Sequence, residues 1–206
     1  AVNEGHVEVV AKLLEHGATD PNLARTDNGA TPLIVAVKKG HGEIARLLLE
    51  HEEINPNQAG TDNGATPLWI AAQNGHFEAV TTLLAHGTTD PNQAKTTNGV
   101  TPLFIAARNG HVNVVAKLLE HGATDPNQAT GDDGTTPLCM AALEDHVEVV
   151  AKLLEYGTTD PNQAMTKGEF KGYTPLLWAA QIGHGKVVAE LLAHGAKPNQ
   201  ARPDNG

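Results

Sequence analysis

Apolar residues recur along this chain in a two-part rhythm. In residues 77–84 they stand at Phe77, Val80, Leu83 and Leu84, the i, i+3, i+6, i+7 spacing that lines one face of a helix. Upstream, Leu68, Ile70, Ala71 and Ala72 form a shorter run whose paired alanines let a neighbouring helix approach closely. Asn74-Gly75-His76 separates the two, and Gly75 suits the left-handed conformation that ends a helix. Thr66-Pro67 marks the start of the first run. A Thr hydroxyl accepts from a free N–H of the first turn, and Pro at the first helical position forfeits no bond. His86-Gly87 closes the second run, and polar residues 88–98 lead to Gly99. The pattern predicts two short antiparallel helices followed by a projecting polar loop.

The same rhythm returns. Thr-Pro-Leu begins at Thr31, Thr66, Thr101, Thr136 and Thr174, the first four 35 residues apart and the last 38 further on. A fixed period of this size predicts one supersecondary unit stacked on copies of itself. We divide the single array 1–206 into a partial unit with its loop at 1–30, units at 31–65, 66–100, 101–135 and 136–173, and a last unit at 174–206. Asp27-Asn28-Gly29, Asp62-Asn63-Gly64, Asn98-Gly99 and Asp133-Gly134 stand at the loop tips. Such pairs tolerate a type I′ turn, which predicts a β-hairpin-like finger roughly perpendicular to the helices. The chain opens inside a unit and stops at Asp204-Asn205-Gly206, short of the next Thr-Pro-Leu. That predicts flanking copies and end-to-end stacking through uncapped termini, on an otherwise monomeric array.

Thr-Pro-Leu-x-x-Ala-Ala, then Gly-His-x-x-Val-Val-x-x-Leu-Leu-x-x-Gly-Ala, then Asp-Pro-Asn resembles the ankyrin repeat over essentially the whole chain. The Trp, Leu-Gly and Tyr spacing of a tetratricopeptide array is absent. The resemblance implies an all-α, ankyrin-type α-solenoid of stacked antiparallel helix pairs with β-hairpin-like fingers. It also implies a non-catalytic scaffold that binds another protein through the concave face of fingers and first helices. The matching finger and helix positions are Arg25, Ala30, Lys38, Lys39, Gln73, Asn74, Lys95 and Val100 in the first half. In the second half they are Arg108, Asn109, Thr135, Leu143, Glu144, Phe170, Tyr173, Gln181 and Ile182. These differ from copy to copy while the framework does not. A spacer within a longer array, or the targeting module of a larger enzyme or bacterial effector, are the alternatives.

Four departures from the family pattern stand out. The unit is two residues longer than usual, which predicts a longer or bulged finger. Ile34, Trp69, Phe104, Cys139 and Leu177 replace the customary His after Thr-Pro-Leu, so apolar packing substitutes for its hydrogen bond. Trp69 joins the candidate partner-binding set as a partly exposed side chain, whereas Trp178, aligned with Ile70 and Ile105, is expected in the core. Glu52 and Asp145 replace turn glycines, which predicts local strain of about 1 kcal/mol at each. The finger from Met165 to Tyr173 carries three extra residues and two aromatics, Phe170 and Tyr173.

Composition narrows the chemistry. Aromatics make up 3% of the 206 residues, so the core must come from Leu, Val, Ile and Ala. The single cysteine, Cys139, sits in an apolar context and fits packing in a reducing, intracellular and cytoplasmic setting. No apolar run is long enough to cross a bilayer. The net charge of -10 disfavours nucleic acid. Eight basic and eight acidic residues fall on the fingers and first-helix ends. The expected concave face is thus near neutral, and the convex back is acidic. The eleven histidines form two periodic sets. Spacing of that kind predicts turn and helix-end hydrogen bonds rather than a converging metal site. No Gly-rich phosphate loop is present, and we expect no catalytic residue, cofactor or metal.

Overall fold

The computed structural model describes residues 1–16 and 19–198. The Gly17-Ala18 pair lies outside the described residues, as does the closing Asp204-Asn205-Gly206 invoked above. After a 3-10 turn at Val2–Glu4 come eleven α-helices and, among the described residues, no strand. They are α1 (Val7–Glu15), α2 (Pro32–Lys39), α3 (Gly42–Leu49), α4 (Pro67–Asn74), α5 (Phe77–Ala85) and α6 (Pro102–Arg108). The rest are α7 (Val112–Glu120), α8 (Pro137–Leu143), α9 (Val147–Glu155), α10 (Pro175–Ile182) and α11 (Gly185–Ala193).

The helices pack as two rows. The even-numbered, Pro-initiated helices contact one another in the order α2, α4, α6, α8, α10. The odd-numbered helices do the same from α1 to α11, and each pair closes within itself. The result is an all-α solenoid. Its core is continuous, and side chains such as Leu33, Leu68, Leu103 and Leu138 are fully buried from one copy to the next.

Local chemistry fixes each start and turn. Thr31, Thr66, Thr101, Thr136 and Thr174 each accept, through Oγ1, from the N–H three residues on, at 3.1–3.2 Å. A cap of this kind is worth about 1 kcal/mol. The residue donating that N–H is the one standing where the family has His. Ile34, Trp69, Phe104 and Cys139 are all buried there, as expected of apolar substitution, while Leu177 is half-buried.

Three expectations need correction. Trp69 is only 5% exposed, with the Lys95 ammonium 4.9 Å from its ring centroid. The lysine stem closes over the indole and removes it from the surface. Trp178 is half-buried rather than in the core, as are Val35, Ile70 and Met140 at the same position of other copies, and Phe170 and Tyr173 of the long finger pack on it with ring centroids at 4.7 and 4.9 Å. Asp145 is left-handed, at φ 58°, as anticipated, but Glu52 is not, so strain is confined to the first.

Candidate interaction surface

The fingers close by a repeated pair of backbone bonds. Arg25 N–H donates to Ala30 O and Gly29 N–H to Arg25 O, and the same pairing recurs for Gly60/Ala65 and Lys95/Val100. Thr130/Thr135 and Met165/Tyr173 make the first of these bonds as well. The fingers are therefore hairpin-like, but their tips are not type I′ turns. At the first four tips the glycines at 29, 64, 99 and 134 have positive φ, and the residues just before them do not. The preceding Asn or Asp uses its side chain instead. Asn28, Asn63, Asn98 and Asp133 accept through Oδ1 from the N–H two residues on. That Asx turn holds the tip without a second left-handed residue. A Cβ on Gly29, Gly64 or Gly134 would overlap Thr61, Thr96 or Thr166 of the following finger, so neighbouring fingers lie in direct contact.

Charge on the fingers is mostly tied down. Arg25 forks onto Asp27 through Nε and Nη2, at 2.9 and 2.5 Å, and this hydrogen bonding draws the Asp27 carboxyl below its ordinary value. Partial burial pushes Asp133 upward. The Thr130 and Thr135 hydroxyls and the Thr135 N–H outweigh it, and the net shift is downward.

The sequence-predicted positions divide by burial. Arg25, Lys38, Lys39, Asn74, Arg108, Glu144, Gln181 and Ile182 are exposed. Ala30, Gln73, Lys95, Asn109, Leu143, Phe170 and Tyr173 are half-buried. Trp69, Val100 and Thr135 are buried and belong to the packing rather than the surface. Arg25, Ala30, Lys38 and Lys39 come together on one groove of about 230 Å³, whose walls also include Ile34, Gly60 and Asp62. Phe170 and Tyr173 meet each other edge to face at 5.5 Å at the far finger.

Two ladders that bind copy to copy accompany this surface. Ring nitrogens of His41, His76, His111, His146 and His184 lie 3.0–3.4 Å from carbonyls of Asn3, Val37, Gln73, Arg108 and Leu143, at the ends of the preceding helices. Val37 O also accepts from Gly40 N–H, whereas the others stand at helix ends where backbone donors run out. The second ladder has no counterpart in the sequence reading. Asn22, Asn57, Asn92, Asn127 and Asn162 each grip the next copy with both ends of the side-chain amide. Asn92 donates to Ala123 O at 2.6 Å and accepts from Asp125 N–H at 2.8 Å. The available signal was the unvarying Asn after each Pro of the post-helix segment.

A family model described as ankyrin repeats matches in overlapping copies at residues 1–95, 52–130, 87–165 and 124–202. The chain belongs to the ankyrin repeat family. The ankyrin array resembles a solved structure titled EF0377, an ankyrin repeat protein, with 27% identity over 96% of both chains and a TM-score of 0.83. It also resembles the ankyrin repeat domain of Bcl-3, described as a unique member of the IkappaB protein family. There the identity is 25%, over 96% of this chain and 85% of that one, with a TM-score of 0.85. No curated protein matches the sequence. Ankyrin repeats serve generally as protein–protein interaction modules. Among the described residues of this array, no helix is long and apolar enough to span a membrane, and no group of three or more His, Cys, Asp or Glu side chains is placed to hold a metal.

Proposed function

We propose that this ankyrin array is a protein-binding scaffold whose partner lies across the fingers and the ends of the even-numbered helices. One observation carries the reading. Those helix ends present Lys38/Lys39, Gln73/Asn74, Arg108/Asn109, Leu143/Glu144 and Gln181/Ile182, a different pair on each copy of an otherwise constant frame. Position-by-position variety on a rigid ledge is what a specific docking surface needs, because each pair can meet a different group. In this reading the units run from one Thr-Pro-Leu to the next, and the scaffold works as a monomer without cofactor, metal or nucleic acid. Its compartment is intracellular, in keeping with the lone thiol.

Selection of binders from a displayed peptide library on the immobilised chain tests it. Reversing the ledge with Lys38→Glu, Arg108→Glu and Ile182→Glu together is expected to abolish binding. Reversing the opposite side with Glu120→Lys and Glu155→Lys is expected to leave it unchanged. Equal loss from both sets, or no binder at all, refutes the ledge. The second reading is a spacer, which the unbroken asparagine ladder favours. It predicts no selectable binder.

A further inference from the structure

The groove beside α2 stands where one side chain is missing and its neighbour is small. Each finger begins with a residue whose N–H bonds the carbonyl that closes the finger: Arg25, Gly60, Lys95, Thr130 and Met165. Four of these carry side chains that are already engaged. Arg25 is clamped by Asp27, Lys95 lies over Trp69, Thr130 donates to Asp133, and the Met165 thioether accepts from Trp178 Nε1. The fifth is glycine. A Cβ built on Gly60 would meet Ile34 Cδ1 at 3.7 Å and the Asn28 and Gly29 carbonyl oxygens at 3.8 Å, all ordinary contacts. Ile34 stands where the next copy has the larger Trp69. Glycine and isoleucine together therefore leave a hole that lysine and tryptophan fill one unit later.

The floor of this groove is apolar, made by Ile34, Val35 and Ile70. At about 230 Å³ it falls below the roughly 300–1,000 Å³ of small-molecule sites, which suits a single side chain better than a cofactor. Charge at its edge is unbalanced. Lys38 and Lys39 are exposed and make no ion pair with a described residue, whereas Arg25 is neutralised by Asp27. Asp62 is the one carboxylate in the lining.

We infer that this groove is the anchor pocket for a partner segment that inserts one aliphatic side chain over Ile34 and sets a neighbouring carboxylate on Lys38 and Lys39. The inference rests on the ledge being the docking surface. It adds to that reading the place of the anchor and the chemistry of the peptide. A partner side chain that fills a desolvated pocket concentrates binding energy in few residues, and the lysines at the rim add specificity and association rate.

The test is a pocket-filling variant. Gly60→Met introduces a side chain that the aligned Met165 already carries, at a backbone conformation open to any residue, so the fold is kept. Its melting curve should match or exceed that of the parent. Random displayed peptides selected on the parent chain are expected to share a Leu, Ile or Met with Asp or Glu one or two positions away. Gly60→Met should weaken them by about tenfold or more, and Lys38→Glu with Lys39→Glu by a similar factor. Peptides that lack this pairing, or that bind Gly60→Met as well as the parent, overturn the anchor. The scaffold reading survives that outcome if the ledge reversal still abolishes binding. Absence of any selected peptide overturns both.

Discussion

Replacing Asn92 by Ala removes one rung of the amide ladder and touches nothing in the core. The side chain makes two bonds across the joint, from Nδ2 to Ala123 O at 2.6 Å and from Asp125 N–H to Oδ1 at 2.8 Å. A typical intramolecular hydrogen bond is worth about 0.5–1.5 kcal/mol net. Asn92 is half-buried, so water reaches part of what is left behind. The expected loss is therefore about 1–2 kcal/mol for the pair, equivalent to a fall in Tm of roughly 2–8 °C for a chain of this size. Because the bonds join neighbouring copies, the loss falls on the coupling between them rather than on either alone. Urea unfolding followed by far-UV circular dichroism should show a lower midpoint and a broader transition. Exposed Asn113, on α7 of the odd-numbered row, serves as the control, and Asn113→Ala should change stability by less than about 0.5 kcal/mol. If Asn92→Ala behaves like that control, the ladder contributes nothing and the reasoning is wrong.

Two further outcomes follow from other parts of the structure. Gly42 opens α3, as Gly185 opens α11, where the other four copies have Val7, Phe77, Val112 and Val147, and a Cβ on Gly42 meets nothing within 4 Å. Gly42→Ala should stabilise the chain by about 0.5–1 kcal/mol through the smaller entropy of its unfolded state, read as a rise in Tm. Cys139 is 1% exposed, and burial pushes its thiol up to about 11, with Sγ set 3.6 Å from Gln163 O. At pH 8 it should remain a thiol and resist an aromatic disulfide reagent in the native state while reacting fully in denaturant; rapid native labelling would show that the site opens.

Much of the architecture was legible because it is written locally. Thr-Pro at a helix start, Gly-His at the turn and the apolar spacing each act within a few residues, and repetition checks each against its copies. Two of the misreadings come from partners distant in sequence or from side chains acting on backbone. Trp69 was expected partly exposed because the lysine that covers it lies 26 positions on. Asn-Gly at the finger tips suggested a type I′ turn, yet the Asn side chain supplies the turn itself. Trp178 was assigned to the core by alignment with Ile70 and Ile105, yet that position is half-buried in four of the five copies, Ile70 included. The groove at Gly60 was invisible for a related reason. A cavity is the absence of a side chain, and its size depends on what two separate copies bring to one place.

The amide ladder also bears on how such a chain can change length. Among the described residues every rung connects adjacent copies, and none skips over one. Excising a stretch of 35 residues in phase, for instance from Thr66 to Val100, would hand Asn57 the same carbonyl and N–H environment one copy further along. Duplication would do the converse. Recombination between similar gene segments can therefore lengthen or shorten the array without breaking a joint, provided the cut preserves the reading of one asparagine per unit.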